Sequence, residues 1–111
     1  MNVVAESYGQ AVVLNCKGEL TVDSLEAFKR VMAHQLEDGQ VRDVVLNLQE
    51  VPFLDSAALA YLLDLQEQMG ERLGQLKLAG LDANLAKILE VTGLESAFER
   101  CQDVSQAVKA V

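Results

Sequence analysis

Histidine, cysteine and proline are scarce in this chain of 111 residues, which contains one histidine, two cysteines and one proline. Cys16 and Cys101 lie far apart, form no CxxC pair and have no neighbouring histidine, so we interpret both as reduced structural thiols. His34 lies in a helical stretch and cannot by itself supply the cluster of ligands that a metal site needs. The scarcity of these residues argues against a disulfide framework and against a metal centre. We interpret His34 as a surface residue.

Basic residues are also few. Nine Lys and Arg stand against seventeen Asp and Glu, and the formal net charge is −8. A protein that binds a nucleic-acid backbone needs clustered Lys and Arg to neutralise the phosphates. This charge balance argues against direct nucleic-acid binding, and it favours encounter with the basic surface of a partner protein.

Long apolar runs are missing from the sequence. Runs such as residues 59–63 are far shorter than the roughly 20 apolar residues that a transmembrane helix requires. The first residues contain no basic stretch that leads into an apolar signal core. We therefore expect no membrane span and a cytoplasmic location.

The residue patterns of common enzymes are lacking too. The chain has no GxxxxGK[ST] phosphate loop and no set of kinase residues, so phosphoryl transfer would have to use the ATP and Mg²⁺ of a partner. The carboxylates of Asp23, Glu50, Asp55 and Asp64 fall on different predicted elements, and the sequence gives no sign that two of them converge. We expect no enzyme activity and no cofactor.

What the sequence does contain is an alternation of strand and helix patterns within one domain, residues 1–111. Residues 3–5 and 11–16 predict two strands of a hairpin, with a turn around Gly9. Residues 43–48 are apolar and β-branched without alternation, which is typical of a central strand covered on both faces. The pattern therefore predicts a sheet that is packed by helices.

Four aspartates stand at the start of stretches with helical spacing of apolar residues, and each predicts a helix N-cap: Asp23, Asp55, Asp82 and Asp103. Two of these starts carry the capping-box pattern, with Glu26 and Gln106 as the partners three residues later. Glycines mark the ends of the first three helices, near Gly39, Gly70 and Gly93. The sequence therefore predicts four helices.

The remaining segments complete the order of elements. Residues 76–79 predict a further strand, whereas residues 94–101 fit either a short edge strand around Phe98 or a packed loop. Alternating strands and helices imply an α/β layer structure with right-handed crossovers between parallel strands. Sites in such folds lie at the carboxyl ends of central strands, which here corresponds to residues 48–56.

The joint between Asp55 and Ser56 is the most informative point of this segment. It presents a hydroxyl in the first turn of a helix, where unpaired N–H groups and the positive end of the helix dipole favour a phosphate. Two interpretations follow from position alone, a phosphate acceptor at Ser56 or a serine that shares in capping with Asp55.

Residues 44–56, Val-Val-Leu-Asn-Leu-Gln-Glu-Val-Pro-Phe-Leu-Asp-Ser, resemble the signature of bacterial anti-sigma-factor antagonists of the STAS family. In that family a strand of this type ends in a polar loop, which an aromatic residue, an aliphatic residue and Asp-Ser follow. The resemblance implies an α/β fold of the STAS type, a mixed sheet of about four to five strands with about four helices. It also implies that a partner anti-sigma factor, a serine kinase, phosphorylates Ser56 and that a phosphatase removes the group.

Lys17-Gly18-Glu19-Leu20 is similar to the Gly-Glu-Leu-Asp turn that follows the second strand in this family, where the turn helps to dock the anti-sigma factor. The resemblance implies a partner-binding surface made by this turn and the helix start: Glu19, Thr21, Asp55, Ser56, Ala57 and Ala58. The unmodified domain would bind the anti-sigma factor and free a sigma factor. Phosphorylation of Ser56 would end the binding through added negative charge.

The chain departs from the family pattern at three positions. Family members commonly continue Asp-Ser with Ser or Thr and then Gly, where this chain has Ala57 and Ala58, and Thr21 stands where the turn usually carries Asp. These differences keep an alternative open. STAS domains also serve, without phosphorylation, as subunits of stress-signalling scaffolds and of lipid-transport ABC complexes, and the sequence does not indicate whether this domain self-associates.

Overall fold

The structure, a computed structural model, describes residues 1–109 of the predicted domain. In this part of the chain five strands and four helices follow one another as β1 (Asn2–Tyr8), β2 (Ala11–Lys17), α1 (Val22–Leu36), β3 (Asp43–Glu50), α2 (Ser56–Glu71), β4 (Leu76–Ala79), α3 (Ala83–Val91), β5 (Glu99–Cys101) and α4 (Val104–Lys109). This order confirms the predicted α/β fold. It also decides between the two interpretations of residues 94–101, since a three-residue strand follows the buried Phe98.

The sheet has the spatial order β1-β2-β3-β4-β5. β1 pairs with β2 antiparallel, and the other three pairs are parallel. β3 is the central strand, as predicted, and Val44, Val45 and Leu46 are fully buried in it. The hairpin is longer than predicted, because β1 spans seven residues and is held by backbone pairing that does not depend on apolar side chains.

The two faces of the sheet are covered differently. One face packs against α1, α2 and α3 and forms the main core, with Phe28, Met32 and Met69 among its largest buried side chains. On the other face Ala107 of α4 packs against Val13, Val45 and Ala79. The side chains of these three strand residues point to the face opposite to that of the residues before and after them in the same strand. Beyond α4 this second face carries polar side chains.

These polar side chains form a hydrogen-bonded ladder across the first three strands. The Asn15 amide donates to Glu6 Oε1 at 2.6 Å, and the Asn47 amide donates to Asn15 Oδ1 at 2.8 Å. The Tyr8 hydroxyl donates to the other oxygen of Glu6 at 3.0 Å. The ladder satisfies polar groups where no helix covers the sheet, and it holds the Glu6 carboxylate in place.

Both cysteines are free. Cys16 is buried on the core face of β2, and this burial raises the pKa of its thiol to about 12. A thiol with such a pKa is almost entirely protonated at neutral pH and is a poor nucleophile. His34 is exposed over 77% of its side chain, which confirms its surface position. No helix within residues 1–109 has the length and apolar character needed to cross a bilayer.

The end of α2 has a leucine, Leu73, at a position of a helix-ending motif where glycine is usual. The amide of Leu73 donates to the Gly70 carbonyl at 3.0 Å and the amide of Gly74 donates to the Met69 carbonyl at 2.8 Å, which is the Schellman pattern. The motif requires a left-handed residue, and here Leu73 takes it with φ of 61° while 85% exposed. At the end of α3 the same role falls to Gly93, with φ of 76°.

Replacing Leu73 with glycine is expected to stabilise the protein. The left-handed conformation costs a non-glycine residue such as Leu73 about 1–2 kcal/mol in the folded protein. Glycine gives the unfolded chain more backbone freedom, which lowers the free energy of unfolding by about 0.4–1 kcal/mol. Little apolar burial is lost, because the Leu73 side chain is exposed. We expect a net gain of about 0.5–1 kcal/mol in urea unfolding. Gly93→Ala is the reverse control and should lower the free energy of unfolding. A Leu73→Gly protein that is less stable than the parent would contradict the interpretation that Leu73 is strained.

Candidate functional site

Two loops lie side by side at the carboxyl ends of β2 and β3. The backbone of Leu20 donates to the Phe53 carbonyl at 3.1 Å and accepts from the Asp55 amide at 3.3 Å. The resulting parallel bridge joins Leu20 to Leu54, and both side chains are buried. The turn around Glu19 and the start of α2 are therefore brought together, as the sequence predicts for this edge of the sheet.

Asp55 connects the two loops through its side chain as well. One oxygen, Oδ1, accepts from the Ala58 amide at 2.9 Å, which is the N-cap bond predicted for α2. The other oxygen, Oδ2, accepts from the Val22 amide at 2.8 Å. Val22 is the first residue of α1. A single carboxylate therefore satisfies an unpaired amide at the start of each of two helices.

Ser56 is the first residue of α2 and is exposed. The amides of Ser56 and Ala57 belong to the first turn, where no carbonyl of the same helix can accept their hydrogen bonds. Asp55 occupies the amide of Ala58, so these two amides and the helix dipole remain to interact with an anion on the Ser56 side chain. The hydroxyl thus lies where a phosphate would be stabilised locally.

The start of α1 differs from the prediction. The N-cap is Thr21, not Asp23: its hydroxyl accepts from the Asp23 amide at 3.3 Å, and Ser24 completes a capping box. The helix can begin this early because the Val22 amide, which has no acceptor in its own helix, donates to Asp55. The interpretation of Asp23 was wrong because Thr21, two residues earlier, supplies the cap, and the Val22 amide is satisfied by Asp55, 33 residues away along the chain.

The predicted partner-binding residues differ in accessibility. Glu19 and Ser56 are exposed, whereas Thr21, Asp55 and Ala57 are half-buried. Ala58 is completely buried in the core, so its side chain is not presented to a partner and we remove it from the contact set. The alanine at this position is a core residue because α2 turns that side toward the sheet.

Two exposed apolar residues that the sequence did not single out lie beside these positions. Val22 is 64% exposed and Phe53 is 40% exposed. Each is tied to the two loops through its backbone, Val22 to Asp55 and Phe53 to Leu20. Phe53 belongs to the signature stretch, but the exposure of Val22 follows from the unpredicted start of α1. We call Glu19, Val22, Phe53, Asp55 and Ser56 the docking surface.

The loop that carries Phe53 is also fixed from its other side. The side-chain amide of Asn84, in the first turn of α3, donates to the Pro52 carbonyl at 2.6 Å. Asp82 caps α3 through a bond from the Leu85 amide at 2.8 Å. The start of α2 is therefore held between the Leu20 bridge and α3.

A family model described as the STAS domain matches residues 2–108, nearly the whole chain. The chain belongs to the STAS domain family. A relative from Staphylococcus aureus, named anti-sigma-B factor antagonist, is 23% identical over 95 residues, which cover 86% of this chain and 87% of that protein.

Solved structures of anti-sigma factor antagonists have the same fold. An anti-sigma factor antagonist from Mycobacterium paratuberculosis superposes with a TM-score of 0.86 at 22% identity, over 99% of this chain and 92% of that one. SpoIIAA, an anti-sigma factor antagonist, superposes in its unphosphorylated form with a TM-score of 0.75 at 15% identity, over 98% and 96% of the two chains. The phosphorylated form of SpoIIAA from Bacillus gives 0.73 at 18% identity, over 98% of both.

Proposed function

We propose that this STAS protein is an anti-sigma-factor antagonist. Its docking surface binds an anti-sigma factor that is also a serine kinase, and this binding frees a sigma factor. The observation that carries the proposal is the exposed Ser56 at the start of α2, tied by Asp55 to the turn that carries Glu19. The serine and the turn are parts of one surface, so a change at Ser56 alters the contacts of both.

The docking surface combines apolar area with negative charge. Val22 and Phe53 supply exposed apolar area, and Glu19 and the half-buried Asp55 supply carboxylates. A partner that covers this surface gains by burying the two apolar side chains and by placing cationic groups near the carboxylates. The proposed anti-sigma factor therefore carries basic residues around an apolar depression.

Phosphorylation of Ser56 would reverse this complementarity. The phosphate adds about −1.5 to −2 charges beside Asp55 and near the Glu19 turn. Within the free protein the first-turn amides of α2 offset part of this charge. In the complex the added group has to be desolvated against the partner, so the modified protein dissociates, and a phosphatase restores binding. The existence of SpoIIAA in both forms supports such a switch.

The test is a phosphorylation and binding assay with the cognate anti-sigma kinase and ATP. We expect the parent protein to incorporate phosphate and Ser56→Ala to incorporate none. We also expect Ser56→Asp to bind the unmodified partner at least about tenfold more weakly, equivalent to about 1.4 kcal/mol. Ser105→Ala is the matched control, because Ser105 is an exposed serine in the first turn of α4.

Three outcomes would count against the proposal. Phosphate retained in Ser56→Ala would refute the acceptor. Equal binding by the parent and Ser56→Asp would refute the charge mechanism even if Ser56 is the acceptor. A parent protein that takes up no phosphate from the kinase would favour the alternative of a non-phosphorylated STAS subunit.

A further inference from the structure

β1 has a free edge. It pairs with β2 on one side, and none of the strands in residues 1–109 pairs with its other side. Tyr8 and Ala11 are register partners across a two-residue turn, and such a turn joins them by a backbone hydrogen bond. Because hydrogen-bonded and non-bonded pairs alternate in an antiparallel ladder, the backbone groups of Val3, Ala5 and Ser7 point outward.

This edge carries only one of the features that protect edge strands from pairing, the charge of Glu6. β1, with the sequence NVVAESY, contains no proline and no Lys or Arg, and its register with β2 runs without a bulge. Proteins usually blunt an edge of this length with one of these devices. On the core face of the sheet Ala5 and Ser7 are both exposed, whereas Val3 is half-buried against the main core, so the edge is open along its second half.

The sequence of β1 is compatible with itself across a two-fold axis. With Ala5 on the axis, Ala5 faces Ala5 of the second copy, Val3 faces Ser7, Val4 faces Glu6 and Asn2 faces Tyr8. This is the register in which all seven residues of each strand pair, and the outward backbone groups of Val3, Ala5 and Ser7 meet their counterparts. Glu6 is the one charged residue of β1, and in this register it opposes Val4 and not itself.

We propose that β1 forms an antiparallel pair with β1 of a second copy of this chain, which joins two five-stranded sheets into one. The interface is limited to one edge, so the dimer is weak and reversible. A net charge of −8 on each chain opposes the approach of the two copies. Salt screens this repulsion, and association therefore becomes stronger as ionic strength rises.

The test is sedimentation equilibrium of the full chain from about 10 µM to 1 mM, at about 0.05 M and 0.5 M NaCl, where the screening length falls severalfold. We expect a monomer–dimer equilibrium that shifts toward the dimer at the higher salt. Ala5→Pro should weaken the dimer by about five- to a hundredfold, because it removes one outward amide from each copy. The bonds to β2 remain, since proline is tolerated where the amide of an edge strand faces solvent.

A pair of lysine substitutions tests the register. Val4→Lys places an ammonium opposite Glu6 of the second copy at two symmetric positions, and it should strengthen the dimer by about two- to thirtyfold. Ala5→Lys places two ammonium groups opposite each other at the axis and should weaken it. Both positions are exposed in the single chain, so the two variants serve as charge-matched controls for each other.

A chain that stays monomeric at all concentrations and both salt conditions would overturn the proposal. A dimer that survives Ala5→Pro, with the fold shown intact by circular dichroism, would place the interface elsewhere. Equal effects of Val4→Lys and Ala5→Lys would refute the register. Capture of an extended peptide by β1, in place of a second copy, would appear as a monomer that binds the peptide and would also count against the dimer.

Discussion

Replacing Gly74 with alanine is expected to lower the free energy of unfolding by about 2–4 kcal/mol, at the upper end of the range for overpacking. A methyl group at Gly74 would overlap the carbonyl oxygen of Arg42 and would lie 2.7 Å from its carbonyl carbon. Arg42 cannot easily withdraw, because its amide donates to the Gln10 carbonyl at 2.7 Å. Gln75, the next residue, is likewise tied to Asp43 by its amide at 2.8 Å.

The measurement is urea unfolding followed by circular dichroism, with Gly70→Ala as the matched control. Gly70 lies in the last turn of α2, and beyond the backbone of its own helix a methyl group there would meet no atom within 4 Å. Alanine has the higher helix propensity, so this variant should gain up to about 1 kcal/mol. If Gly74→Ala and Gly70→Ala changed the free energy of unfolding in the same direction, the contact with Arg42 would not be the reason that position 74 requires glycine.

Replacing Asp55 with alanine is the second change with a large expected effect, a loss of about 2–5 kcal/mol in the free energy of unfolding. The substitution removes the N-cap of α2, worth about 0.5–2 kcal/mol, and a charge-assisted bond to the Val22 amide, worth about 1.5–3 kcal/mol. Asp82→Ala is the matched control. Asp82 caps α3 through one amide, that of Leu85, so the difference between the two variants isolates the second bond of Asp55.

Asp55→Asn should fall between the parent and Asp55→Ala, because an amide side chain keeps one oxygen acceptor and loses the other. Hydrogen exchange of the Val22 amide reports the bond directly: its protection should drop in Asp55→Ala and stay unchanged in Asp82→Ala. Equal losses of stability in the two alanine variants would show that the contact with Val22 contributes nothing. In the binding assay we expect Asp55→Ala to weaken partner binding, since it removes one carboxylate of the docking surface and the side-chain bond that fixes Val22 beside the start of α2.

Much of the fold could be predicted because its signals are local. The caps at Asp55, Asp82 and Asp103 each accept the amide three residues later, and this arrangement depends on short-range sequence. The central position of β3 also followed from an apolar run that a half-covered strand would not carry. These features place Ser56 at the start of a helix beside a central strand.

The remaining features depend on contacts between distant parts of the chain. Thr21 and Asp23 are both suitable N-cap residues for α1, and the bond from the Val22 amide to Asp55, 33 residues away, supports the earlier start. β5 has three residues and is held by pairing with β4, so its own sequence is ambiguous. The exposure of Val22 depends on how α1 rests on the sheet, which the helical spacing of a single segment does not resolve at its first residue. Ala58, in contrast, lies on the same helical stripe as Leu62 and Leu65, so its burial could have been predicted.

The bridge between Leu20 and Leu54 bears on how long a signal at this surface would last. Backbone bonds at 3.1 and 3.3 Å join the two loops, and the Asn84 amide holds the same segment at 2.6 Å. A surface held from two sides by these three bonds needs no slow rearrangement after a chemical change, so its shape would not preserve the signal. The modified state of the proposed switch would therefore last as long as the phosphate ester, and the rates of the kinase and the phosphatase would set its duration.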